Sequence, residues 1–229
     1  MKKSVIALSV ATLALLAARP EAQDIKQKLV AAKDAAANNA QAMRSYTWLE
    51  KTELSLKGEV KNTKVDSVKY GPDGKVQKTP VVTPPPPEKK RGLRGKVVAN
   101  KTEEMKEELE SAAALVQHYV PPSADKMQIV MNAGTASLSQ AGPGAVTLTF
   151  PGYEKSGDAL KLTFDTAVKA LQNISVATWL DKPEEPVNLT VTMQSLPDGL
   201  SYPGTIMLSI PSSKIDVKIT KSNFQKIAQ

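Results

Sequence analysis

Five consecutive segments in the last third of the chain alternate apolar and polar residues. They are Leu160-Leu162-Phe164, Ile174-Val176-Thr178-Leu180, Val187-Leu189-Val191-Met193, Ile206-Leu208-Ile210 and Ile215-Val217-Ile219. A period of two sends successive side chains to opposite faces of a strand, so each segment predicts a strand with one apolar and one wet face. Short, turn-rich joins between them predict an up-and-down antiparallel sheet, and its apolar face needs a cover.

The same period appears nearer the N-terminus. Tyr46, Trp48, Leu54 and Leu56 share a face that Glu50 interrupts, and past Gly58 the pattern continues from Val60 to Tyr70. Gly71-Pro72-Asp73-Gly74 is a strong turn signal: proline presets one dihedral, aspartate bonds the local backbone, and glycine accepts positive φ. A hairpin with Lys75 to Val82 as its return strand follows.

Helical spacing predicts three helices. Asp24 to Arg44 carries a narrow stripe of Ile25, Leu29, Ala32, Ala36, Ala40 and Met43. Lys101 to His118 carries Met105, Leu109, Ala112, Ala113, Val116 and Tyr119, with Asn100 and Glu103 spaced as a capping box. Pro121-Pro122 ends it, and Ser123 to Asn132 predicts a short third helix before Gly134. Between hairpin and second helix, four prolines (Pro84 to Pro87) and the basic run Lys89, Lys90, Arg91, Arg94 and Lys96 predict an exposed loop over residues 80–99. Neither flank holds enough core to fold alone, which predicts one domain over residues 23–229.

Met1-Lys2-Lys3 and the apolar run from Val5 to Ala18 have the layout of a secretory signal peptide, with cleavage expected after Ala18 or Ala22. The alternative is an uncleaved anchor, although the run is short for a bilayer. Export to the periplasm or beyond is expected, with no transmembrane segment after cleavage. Losing residues 1–22 removes three cations and one anion and lowers the formal charge from +7 to +5. That excess is too diffuse to argue nucleic-acid binding.

Catalytic chemistry finds little support. There is no cysteine, so disulfides and thiolate chemistry are excluded. The single histidine, His118, ends a helix where a partial positive charge suits the dipole, and it reads as a surface residue. Metal sites built from His and Cys are excluded by count. The carboxylates Asp66, Asp158, Asp165, Asp181, Glu184, Glu185 and Asp198 read as solvated turn residues. No enzymatic activity and no cofactor are expected. Trp179 falls on the face opposite Ile174 and Val176, either covered by a loop or exposed as a contact surface.

The order of elements resembles the LolA-like superfamily of periplasmic lipoprotein carriers. The likeness rests on the Ile25-to-Tyr46 helix running into Trp48-Leu49-Glu50, on the Tyr70-Gly71-Pro72-Asp73-Gly74-Lys75 hairpin, and on the Leu208-to-Ile219 terminal hairpin. It implies an α+β fold: a strongly curved antiparallel sheet, a half-barrel, with helices packed as a lid on its concave apolar face. The implied role is carriage of an acyl chain, lipid or lipidated protein. The pattern itself adds that alanine-rich helices fill little volume over a face of branched side chains, so either the sheet closes its own core or an apolar ligand fills the gap. Cavity-facing candidates are Leu54, Leu56, Leu160, Leu162, Phe164, Val191 and Met193. The alternative is an interaction or envelope-sensing module with a packed core, contacting an envelope protein through Trp179, Lys89, Lys90, Arg91 and Arg94.

Overall fold

The computed structural model describes residues 38–82, 93–168 and 170–227. Ten strands form one antiparallel sheet in the order β3-β2-β1-β10-β9-β8-β7-β6-β5-β4. The first three are β1 (Tyr46–Leu56), β2 (Glu59–Tyr70) and β3 (Val76–Val82). The second group is β4 (Ser137–Gly142), β5 (Ala145–Pro151), β6 (Ala159–Asp165), β7 (Leu171–Trp179), β8 (Pro186–Ser195), β9 (Ser201–Ile210) and β10 (Ile215–Lys226). Two meanders are thus joined by one long-range pairing, β1 with β10, in which Leu54 lies opposite Val217 and Glu50 opposite Lys221. β3 and β4 are the edges, so the sheet is open.

The turn at residues 71–74 forms as its composition requires. The Gly74 amide donates to the Gly71 carbonyl at 2.9 Å, Asp73 accepts from the Lys75 amide at 3.0 Å, and Gly74 takes φ +74°. Tyr70 is then paired with Val76 across the hairpin.

Two helices lie between β3 and β4, which form opposite edges of the sheet. α1 spans Leu93–Val116 and α2 spans Ala124–Asn132. Here the expected loop over residues 80–99 is corrected: β3 runs through Val82, and Arg94 already lies in α1. Asn100 is a helix-interior residue, not a cap, because the turns before it propagate the helix. Each further residue of a formed helix adds a hydrogen bond with no new nucleus to form. Lys89, Lys90 and Arg91 lie outside the described residues, as does the predicted first helix up to residue 37. Its last turn, at residues 38–42, is helical and leads through a 3-10 turn (Met43–Ser45) into β1. Ser123 caps α2, its hydroxyl accepting from the Lys126 amide. No described helix is long and apolar enough to cross a membrane.

One sheet face is apolar and meets the helices. Ala112, Tyr119, Met127 and Val130 pack into a single cluster with Phe150, Leu160, Leu162, Val176, Leu189 and Ile210. A second cluster, of Met43, Tyr46, Trp48, Val68, Leu200 and Tyr202, sits where β1 begins and β2 ends. The opposite face is lined by threonine, serine, asparagine and lysine, with Thr147 and Thr163 hydrogen-bonded across strands at 2.8 Å.

Candidate ligand-binding face

Strand register aligns the apolar side chains of the helix-covered face into rows running across the sheet. One row passes through Phe150, Leu160, Val176, Leu189, Leu208, Val217 and Leu54, from β5 to β1. Its first five members expose 0, 0, 1, 4 and 8 % of their surface. Val217 and Leu54 are only half-buried. The adjacent row through Leu148, Leu162, Ile174 and Val191 is sealed in the same way, then opens at Ile206 and Ile219 and ends on Thr52. The face is therefore closed over β5 to β8, while β9, β10 and β1 mix the buried Leu208, Ile210 and Ile215 with the half-buried Ile206, Val217, Ile219, Leu54 and Leu56.

The cover of the closed part is anchored at Tyr119 and Ser123. Tyr119, just past α1, is fully buried, and its hydroxyl donates to Asp158 Oδ2 at 2.5 Å and lies 2.8 Å from Thr178 Oγ1. Asp158 also accepts from the amides of Glu154 and Lys155, at 3.2 and 2.9 Å. Burial, reinforced by the Asp158 hydrogen bond, pushes the Tyr119 hydroxyl well above the ordinary tyrosine range. Tyr153 meets Tyr119 at 5.6 Å between ring centroids and accepts from the Ser123 amide at 2.6 Å. Both ends of the helix connection are thus tied to the loop between β5 and β6. Farther back on α1, Glu108 accepts from Ser213 at 2.5 Å in the turn between β9 and β10.

The open part is bordered by charge. Glu50, Asp66 and Lys221 lie opposite one another on β1, β2 and β10. Glu50 is 5 % exposed and Asp66 2 %. Lys78 from β3 is ion-paired with Glu50, and Lys64 lies 2.9 Å from Asp66 Oδ2. Asp66 Oδ1 and Trp48 Nε1 are buried with no hydrogen-bond partner among the described residues. Burial, with repulsion from Lys78, holds the Lys221 ammonium below the ordinary lysine range although Glu50 opposes the change. Its ammonium lies 5.6 Å from the centre of the Trp48 ring.

All seven cavity candidates fall in one cluster, on two levels. Leu160, Leu162 and Val191 are sealed core, whereas Leu54, Leu56, Phe164 and Met193 are half-buried. Trp179 stands on the opposite face, where the Lys155 ammonium lies 4.5 Å from its ring centre. Gly157, at φ +91°, sits so close that a Cβ there would stand 3.1 Å from the ring. A loop covers much of that tryptophan.

Two acids depart from the solvated reading. Asp158 and Asp66 are buried, at 1 and 2 % exposure. Asp158 is drawn in by Tyr119 and two amides, and Asp66 by the register that sets it beside Glu50. Asp66 follows the alternation of Val68 and Tyr70, a signal already in the sequence; Asp158 has no such marker. Asp181 and Glu184 are exposed. His118 is exposed, 3.6 Å from Glu154.

No family model matches this chain, and no curated protein matches it either. Among solved structures it is similar to a DUF1329 family protein from Desulfovibrio piger, at 9 % identity and a TM-score of 0.38, covering 87 % of this chain and 93 % of that one.

Proposed function

We propose that this protein is an exported carrier that holds an acyl chain, free or attached to a lipid or lipoprotein, between a half-barrel sheet and its helical lid. The observation that carries this reading is the change in cover along the apolar rows: sealed from β5 to β8, half-open at Ile206, Val217, Ile219, Leu54 and Leu56. Residues this apolar gain little by facing water in an isolated protein, and an acyl chain laid on them gains about 0.8 kcal/mol per methylene buried. A sheet of ten strands accumulates twist and tends to curl, which gives such a chain a trough. The protein acts by burial and release, with no bond made or broken. The layout of residues 1–22 as a signal peptide supports export to the periplasm or outside the cell.

Purification from the native envelope, followed by solvent extraction and mass spectrometry, is the direct test. A co-purifying acyl lipid is the expected result, together with uptake of an apolar fluorescent dye that Leu54→Glu abolishes. No extracted lipid and no dye uptake would overturn the reading. N-terminal sequencing of the mature protein is expected to begin at Arg19 or Gln23.

A further inference from the structure

The three lysines and two carboxylates at the border of the half-open face do not balance. Lys78 is taken by Glu50 and Lys64 by Asp66. Lys221 makes no ion pair within 4.0 Å among the described residues, though it stands directly across β1 from Glu50. Among the described residues the group thus carries one positive charge in excess, on the half-buried Lys221. Glu50 faces the Lys221 ammonium but is already paired with Lys78, and an anion supplied from outside lowers the remaining cost of burying that charge.

A second, independent feature lies beside it. Trp48 is 2 % exposed, and its indole N–H has no acceptor among the described residues. A buried donor left unpaired is uncommon and commonly marks a missing partner. The Lys221 ammonium lies 5.6 Å from the centre of the Trp48 ring, and an oxyanion can accept from an ammonium and from an indole N–H alike.

From Lys221, β10 leads on the same face to Ile219, Val217 and Ile215, with Thr52, Leu54 and Leu56 facing them from β1. That strip is about 20 Å long at roughly 3.3 Å per residue. Its Ile219, Val217, Leu54 and Leu56 are half-buried, Ile215 at the far end is sealed at 2 % exposure, and the unbalanced charge stands at the near end.

We propose that Lys221, assisted by Trp48 Nε1, anchors the anionic head group of a single-chain amphiphile whose tail lies along Leu54, Leu56, Val217 and Ile219. This rests on the carrier reading and narrows its ligand to acyl chains ending in a carboxylate or phosphate. Lys64 and Lys78 offset the field of Asp66 and Glu50, so the anion meets net positive charge.

Displacement of a bound apolar dye by palmitate and by 1-hexadecanol tests it on the full chain, with inorganic phosphate as a third competitor. Wild-type protein should release dye at tenfold or more lower palmitate than hexadecanol. Lys221→Met should erase that preference and leave hexadecanol unchanged, and Lys221→Arg should restore most of it. Circular dichroism of both variants should match wild type. Equal competition by palmitate and hexadecanol in wild type, or an unchanged preference in Lys221→Met, would overturn the anchor while leaving the carrier reading intact. Displacement by neither would overturn both. Phosphate competing with palmitate as well as a head group does would assign Lys221 to free anions instead.

Discussion

The same kind of side chain on the same face of one sheet meets two different fates. Over β5 to β8, Leu160, Leu162 and Val176 are sealed beneath Tyr119, Ala112 and Met127, and over β10 and β1 the corresponding Val217, Ile219 and Leu54 stay half-open. Strand alternation cannot separate these cases, because it says only which side chains share a face. The cover separates them. Its buried fastening, where Tyr119 reaches Asp158 and Thr178, lies over the first half of the rows, while over the other half α1 is tied by Glu108 to Ser213 in the β9–β10 turn. The end of that half away from the turn is bordered by charge.

The sharpest test of this difference is a pair of truncations. Leu160→Ala should cost about 2–5 kcal/mol by urea denaturation, the range for a closed cavity in a packed core. Leu54→Ala should cost less, about 1–2 kcal/mol, because Leu54 is only partly buried and leaves a smaller cavity. Equal losses would mean that the open half is sealed in solution.

Tyr119→Phe comes next. It strips Asp158 and Thr178 of one partner while Asp158 keeps its two amides, so the expected loss is about 1–3 kcal/mol. The loss should depend on pH. Folding raises the Tyr119 value above its ordinary 10.0, so its contribution is whole below pH 10 and fades as the unfolded chain ionises above it. A gap between variant and wild type that widens above pH 10 would contradict the anchor.

On the open side, Glu50→Gln leaves Lys78 and Lys221 without the carboxylate between them. Because Lys78 keeps much of its ammonium in water, the loss should be about 1–2 kcal/mol and not the larger figure for a fully buried pair. Thermal unfolding at low and high salt checks it, with the smaller difference at high salt.

The smallest effect has the opposite sign. Lys221 binds its proton less tightly folded than unfolded, so stability climbs with pH between its lowered folded value and 10.5. Below that window the charge burdens the fold in full. Lys221→Met should therefore raise the melting temperature at neutral pH by about 2 °C, and the gain should shrink as pH approaches 10.5. A lowered melting temperature would mean that Lys221 is satisfied in the free protein.

Much of this was legible in advance because it is local. The seven half-buried and buried candidates share one face since a period of two leaves no other arrangement, and the 71–74 turn forms from its own four residues. Glu50 was visible as an interruption of an apolar face. Its neighbours were not, because Asp66 and Lys221 reach it only through register. The start of α1 at Leu93 was hidden by a basic, glycine-containing stretch whose composition reads as loop.

Sequence alone determined eight of the ten strands (all but β4 and β5), which side of them is apolar, and the turn at residues 71–74, since those follow from backbone geometry over a few residues. Tertiary structure decided the rest. The pairing of β1 with β10 brings together residues some 170 positions apart in the chain (Glu50 and Lys221, for example), and no local pattern encodes that register. The same pairing converts two unremarkable surface-type residues into a half-buried charge beside an orphan indole. The path of the helices, pinned by Tyr119, then leaves that corner of the apolar face without the cover the other corner has.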